Sequence, residues 1–457
     1  MQKKLRLYYW IVMAFLEKYL LYISISFFIT SFAIAMYVLF SKDILRFFDT
    51  QKVIIGYAGK VTLNKLPEEV INDVTVHMFT KDKESGEFRS EIFDKWSNNK
   101  NFTVYTLSLK NNLTFTDNSP FTSKDIQIEF KDVRIDRPDD QTIIFTLPKP
   151  FPQFLSYLTI PIYSTAPFRG VKGSYIVTGV LYTKNQDSIS EIILSPLTVD
   201  KVEKIFRIYP NENDLANAYK LREIDRFSTT SKAAFEDFQK WPNTMSIKTA
   251  DYTRLTTLFF NQNHTFLKEK DVRAAILGSI PIAKLEEAGS LAVSPISPLS
   301  DYYDPSIPRI PENPELDRNI LIKYFKQASE SAKFRLSTSF QFLNLAHIIQ
   351  EIIQGAGGTC TVDINGLQQG EQADMVLGLW DIPNEVNQYF IWHSSQKGGT
   401  NITNYDNQRV DKLLEDFRAT DSATLQKKLM IDFQKRIAED IPAAFLYYPS
   451  VYTIQRK

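Results

Sequence analysis

One cysteine, Cys360, stands in a chain of 457 residues. A lone thiol forms no internal disulfide, and it excludes a zinc site built on cysteine pairs. Its residue type and strand-like surroundings fit a small buried apolar side chain better than a nucleophile. Histidine is nearly as scarce. His77, His264, His347 and His393 are scattered, with no HExxH and no pair at helical spacing, so no metal site is expected. Charge of one sign is missing too: Lys+Arg and Asp+Glu number 53 each. No global field attracts nucleic acid or an acidic substrate. Catalytic signatures are absent as well, with no GxSxG elbow, no Walker loop and no GxGxxG after a strand. Gly355-Ala-Gly-Gly358 follows a helical stretch and lacks the Lys-Ser/Thr of a phosphate loop, so it reads as a helix end and turn. The adjacent His393 and Ser394 do not make a nucleophile and base, because neighbours in sequence rarely face each other. No cofactor and no enzymatic activity are expected.

What the chain does have is 44% hydrophobic and 23% charged residues, a globular balance. Its length suits two or three lobes rather than one core. Near the start, Tyr19–Phe40 carries no charge. That is enough to cross a bilayer as a helix, for which about 20 residues suffice. Lys3, Lys4, Arg6 and Lys18 precede it against Glu17 alone, while Lys42 and Arg46 after it are balanced by Asp43 and Asp49. The positive-inside rule then puts residues 1–18 in the cytoplasm or the interface, 19–40 in the membrane and the remainder outside. Tyr8, Tyr9 and Trp10 suit the headgroup level. The rival is a cleaved signal peptide ending near Ala33-Ile34-Ala35. Against it, the apolar run continues through Phe40. No cysteine lies near the end of the run, which excludes a lipoprotein anchor.

Residues 50–170 read mainly as strands, among them Phe102–Leu109 and Gln141–Leu147. Asp117-Asn118-Ser119-Pro120 is a turn, and a short helix opens after it with Thr122 or Ser123 as cap. Beyond residue 250 the pattern turns helical: from Asp271 to before Pro281, Leu316–Ala328, Leu343–Ile353, Val410–Phe417 and Leu425–Ile437. A strand is expected at Thr361–Ile364, and a proline-rich loop between Ser294 and Pro314. Alternating strands and helices make the class α/β.

Aromatic rings, carboxylates and small polar groups gather at Trp380-Asp-Ile-Pro-Asn-Glu385 and Tyr389–Ser395. A cleft for a peptide-sized ligand needs such parts: flat apolar walls, a few hydrogen-bonding groups and a charge to meet a terminus. The same density also describes a core.

The order of several segments resembles the family 5 extracellular solute-binding proteins, the oligopeptide-, dipeptide- and nickel-binding receptors of ABC importers. The resemblance spans roughly residues 70–455. Trp96–Phe130 is similar to the family's strand followed by "F-x-D-G-x-P-x-T-A-x-D-V", and Asp136–Leu147 with Pro150-Phe-Pro152 to its next hairpin. Ala218–Asp225 resembles "A-L-x-x-G-E-I-D"; Leu258–Asn261 with Asp271–Ala275 resembles "F-N … D-x-R-V-R-Q-A". Ser294–Pro298 resembles the proline loop that follows, and Ala373–Trp380, Trp392–Gln396 and Asn401–Tyr405 with Val410-Asp411 resemble the second lobe's ligand segment and its sequel. Glu439–Pro442 and Leu446–Tyr448 match the closing segment. There are departures. The glycine of "F-x-D-G" is Asn118, that before "E-I-D" is Arg222, "G-T-G-P-Y" is blurred to Thr178–Tyr182, and the acidic "D-P-D-P" is Glu385-Val-Asn387-Gln388.

The resemblance implies an α/β, two-lobed periplasmic-binding-protein type II fold behind the N-terminal helix. Residues 50–250 with 441–457 would form lobe I, and 251–440 lobe II. The chain would bind peptides or peptide-sized solutes between the lobes and deliver them to an ABC permease. The ligand-binding residues would be Trp380, Asp381, Glu385, Trp392, His393, Ser394, Asn404 and Tyr405. The tryptophans would supply walls, and Asp381 or Glu385 would meet a cationic group. The alternative is a sensory or scaffolding envelope protein that kept the fold without transport.

Overall fold

The computed structural model describes residues 52–82, 87–130, 132–198, 202–327, 332–364 and 373–457, together with residues 9–10, 13–15, 17–22 and 24–32 near the start. Those early residues are helical. Of the expected span Tyr19–Phe40, Ile23 and residues 33–40 lie outside the described residues. Among the described residues no helix is long and apolar enough to cross a membrane.

The rest is organised by one sheet of twelve strands. Lys52–Ala58 runs parallel to Glu203–Tyr209 on one side and Arg226–Thr229 on the other. The hairpin Tyr175–Tyr182 and Ile189–Pro196 extends this first half outward. In the second half Lys333–Thr338 runs parallel to Thr359–Asp363 and Met375–Asp381, and Arg254–Phe260 joins the last of these antiparallel. The final strand, Ala443–Arg456, belongs to both halves. Its residues 443–449 pair with Arg254–Phe260 and Gly289–Leu291, and its residues 450–456 with Arg226–Thr229 and Thr244–Ala250. Gly289 has no room for a side chain here, since a Cβ would lie 1.9 Å from the Tyr448 carbonyl oxygen.

Helices cover both faces of each half. Glu68–Val74 packs Val70 and Val74 over Ile55 and Phe206. Glu212–Lys220 and Lys232–Gln239 pack Tyr219 and Phe238 over Phe227 and Ile454 on the opposite face. In the second half Lys270–Gly278, Pro314–Gln327 and Leu343–Gly355 cover Leu258, Phe260 and Leu377. Gln408–Ala419 and Ala423–Asp440 cover Phe259 and Phe445. Gln408–Ala419 is a helix for local reasons. The Asn407 side chain caps it by accepting from the Arg409 and Val410 N–H groups, and Val410, Leu413, Leu414 and Phe417 recur at helical spacing on its buried face.

A separate body spans roughly residues 76–171 around the four-stranded sheet of Phe93–Asn98, Val104–Leu109, Arg134–Asp136 and Thr142–Thr146. Its apolar side chains, Phe79, Phe145 and Phe154 among them, form one cluster with Trp392, Phe417 and Phe433 of the second half.

Candidate functional site

Parallel strands leave a crevice outside their carboxyl ends, where ligands of α/β proteins collect. In the first half Arg226–Thr229 ends at Thr230, Ser231 caps the next helix by accepting from Ala234 N–H, and Lys232 begins it. In the second half Lys333–Thr338 ends at a 3-10 turn, Phe340–Phe342, which feeds the helix Leu343–Gly355. The two strand ends border one hollow of about 680 Å³. Thr230 and Lys232 line it from the first half, and Gln341, Asn344, His347 and Glu351 from the second. Phe342, Leu345, Leu379, Tyr447 and Tyr452 give it apolar walls. The Thr256 hydroxyl is buried at its edge. Lys232 reaches across to Glu287, with Nζ 2.9 Å from Oε1. Lys232, and then Lys284, hold the Glu287 carboxyl below the usual carboxylate range.

A second hollow, of about 760 Å³, opens on the other face of the closing strand: Ser450 and Tyr452 line the first, Val451 the second. It is acidic, with Glu68, Glu69 and Asp73 from the first half, Asp251 and Arg254 from the crossing segment, and Asp381 from the second half. Glu69 pairs with Arg226, Asp73 with Lys204 at 2.6 Å, and Asp251 with Arg254 at 2.6 Å. Burial raises the Asp251 carboxyl, but hydrogen bonds from Thr253 and Arg254 outweigh it and hold the group low.

Of the eight residues singled out in the sequence, Asp381 alone lines either hollow. It is exposed, directly across the strand pair from Arg254. The alternation of the strand turns Trp380 to the side opposite Leu379 and Asp381. There its indole N–H donates to the Thr257 hydroxyl at 3.0 Å and its ring meets Phe259 edge-on at 5.3 Å. Trp392 is fully buried against Phe259 and Phe445, with its N–H bonded to Gln388 at 2.8 Å; it is a core residue rather than a cleft wall. Glu385 accepts from the Ser300 hydroxyl within the second half. His393 is buried beneath Tyr389, and its Nδ1 accepts from the Ser395 N–H. The Ser394 hydroxyl donates to Asp411, not to the imidazole. Asn404 donates to Asn261 at 2.9 Å, and the buried Tyr405 hydroxyl donates to Asp440 at 2.5 Å. His393, Ser394 and Tyr405 tie the second half's loops to its helices, and Asn404 ties one loop to another. The residues of the 680 Å³ hollow come from separate segments without aromatic density. The signal that finds them is position, immediately after the ends of parallel strands.

No family model matches the chain. It is 22% identical over 433 residues to the probable D,D-dipeptide-binding periplasmic protein DdpA of Escherichia coli, covering 80% of each chain. A shorter stretch of 77 residues is 40% identical to the oligopeptide-binding protein AppA of Bacillus subtilis, covering 17% of this chain and 14% of that protein. The crystal structure of that AppA with a nonapeptide superposes at a TM-score of 0.68 with 17% identity, over 89% of this chain and 94% of that one. The fold is that of the periplasmic peptide-binding proteins. NikZ of Campylobacter jejuni, in complex with Ni(L-His), shares this fold at a TM-score of 0.69 and 18% identity, over 89% and 94% of the two chains. The neighbours are family 5 solute-binding proteins, the family that the segment order resembles.

Proposed function

We propose that this chain is an extracytoplasmic solute-binding protein that captures peptides or peptide-sized solutes between its two halves and hands them to an ABC importer. The observation that carries the reading is the 680 Å³ hollow outside the carboxyl ends of parallel strands from both halves. Its size, its apolar walls and its polar and charged lining groups suit a small peptide. Residues 50–75 and 172–250 with the end of the closing strand would act as one lobe, and 251–440 with the body of residues 76–171 packed on it as the other, with the ligand buried by hinge closure. The action is binding and release, with no covalent step. The relatives named for peptides and dipeptides support the solute class.

The experiment is mass spectrometry of solutes that co-purify with residues 50–457, beside the variant Asn344→Trp, which fills the hollow from an exposed helical position. Peptides on the wild type and none on the variant support the reading. Equal capture by both moves the site elsewhere.

An N-terminal anchor belongs to the same reading. It rests on the uncharged run Tyr19–Phe40, its basic flank, and the exposed Tyr22, Phe27, Phe28, Ile29 and Phe32. External protease on intact cells should digest the large domain, and carbonate washing should leave the chain with the membrane. Protection of that domain would refute the topology.

A further inference from the structure

A chain of ion pairs crosses the mouth of the 680 Å³ hollow. Lys232 in the first half has Glu287 of the second half at 2.9 Å and Glu236 of its own helix at 3.8 Å. Lys284 approaches the other Glu287 oxygen at 3.7 Å. Each oxygen of the Glu287 carboxylate therefore faces a different lysine, one from each half. Lys232, Lys284 and Glu287 all line the hollow. The remaining charged lining group, Glu351, makes no ion pair among the described residues and stands on the helix Leu343–Gly355 beside His347. The wall formed by Lys232 and Lys284 is thus built around a carboxylate, and the carboxylate there now is the protein's own.

We infer that Lys232 and Lys284 receive a free carboxylate of the solute, and that Glu287 occupies that place until the solute arrives. This deepens the solute-site reading and rests on it. Glu287 and its two lysines are each about half exposed, at 49%, 49% and 61%, and exposed ion pairs are weak. Exchanging one carboxylate for another in that setting costs little. An incoming carboxylate also brings charge-assisted hydrogen bonds that an amide lacks. The exchange keeps Lys232 of the first half and Lys284 of the second bound to one anion, so the bridge between the halves passes through the solute instead of through Glu287. Solutes with a free carboxylate would be selected over neutral or amidated ones.

The test offers the full chain, in detergent, an equimolar mixture of tripeptides as free acids and as C-terminal amides. Captured species are counted by mass spectrometry, and melting curves confirm that each variant folds. The wild type should enrich acids over amides about fivefold, the scale of one exposed charge pair. Lys232→Met should bring the ratio of acids to amides towards one. Glu287→Gln should raise capture of acids, because the internal competitor is gone. A residue that merely braces the mouth would lower capture in both variants alike, and that result overturns the inference. Equal capture of acids and amides by the wild type also overturns it, yet leaves the solute site standing. Capture of neither form defeats the peptide reading and this inference with it.

Discussion

At the scale of single residues, two positions show turns held with unusual side chains. Asn118 sits at φ 66° and Arg222 at φ 63°, both in the left-handed region. Asn tolerates that region because its short polar side chain bonds locally; arginine has no such compensation. Arg222 follows the helix Glu212–Lys220, whose Asn217 and Tyr219 carbonyls take the Leu221 and Arg222 N–H groups. Arg222→Gly is therefore expected to stabilise the fold by about 0.5–1 kcal/mol in urea unfolding, the backbone relief being partly offset by a freer unfolded chain. Asn118→Ala should lower stability by about 1 kcal/mol. Cys360 illustrates the opposite case, a residue whose chemistry is suppressed. It is buried, and burial, with a smaller push from Asp374, raises its thiol to about 11. Only about one thiol in ten thousand is then ionised at pH 7. A maleimide should leave the native protein unlabelled for hours and react within minutes in denaturant. Rapid native labelling would contradict the burial.

Among elements, those with a clean period were legible in the sequence. Leu343–Ile353 is found as Leu343–Gly355, and the strand expected at Phe102–Leu109 as Val104–Leu109. The expected short helix after Pro120 is a single 3-10 turn, Ser123–Asp125, with Thr122 and Asp125 forming a capping box. The helix Glu68–Val74 was hidden within a strand-rich region, because it is only seven residues long and begins after Pro67 with no side-chain cap. Most of the residues singled out at 380–405 lie outside the hollow for a related reason. Aromatic density at 380–395 marks the packing of loops against Phe259 and Phe445, whereas the hollow is lined by residues such as Thr230 and Asn344 that gain meaning only once two strand ends are brought together. One element also carries a strained charge. Asp317 lies in the first turn of Pro314–Gln327, is 8% exposed, and its Oδ2 has no hydrogen-bond partner among the described residues. Burial raises its carboxyl above the usual carboxylate range. The charged form is thus penalised in the folded state. The penalty is complete above the folded pKa and disappears as pH falls below the unfolded value. Asp317→Asn should stabilise the protein by about 1 kcal/mol at pH 7 and by nothing near pH 3. Equal melting shifts at both pH values would exclude a titration origin.

For the whole molecule, the question is which parts move together. The halves are joined by the crossing segment near 250–254 and by the closing strand. The body of residues 76–171 is held to the second half by more than apolar contact. Lys81 donates to the Tyr302 hydroxyl at 3.2 Å, which donates on to Gln426 at 2.8 Å, and Gln153 donates to the Thr420 carbonyl at 2.9 Å. Arg418 of the second half also touches the body. Its guanidinium sits 4.8 Å from the Phe151 ring of the body, 4.4 Å from Tyr389 and 5.6 Å from Phe390, and it makes no ion pair among the described residues. The aromatic faces are its main counter-charge. A cation over such faces is worth about 0.5–2 kcal/mol, more when desolvated, and the arginine stem adds apolar packing. Arg418→Ala should therefore lower unfolding stability by about 1–2 kcal/mol. More tellingly, it should raise amide exchange at Phe151–Leu158 and Gln388–Trp392 together, while the strands Lys52–Ala58 and Glu203–Tyr209 exchange as before. Arg418→Leu, which keeps the stem and loses the charge, should recover part of the stability and little of the protection. If Arg418→Ala leaves exchange at both segments unchanged, the guanidinium does not hold the body to the second half, and the apolar cluster alone sets how the two move.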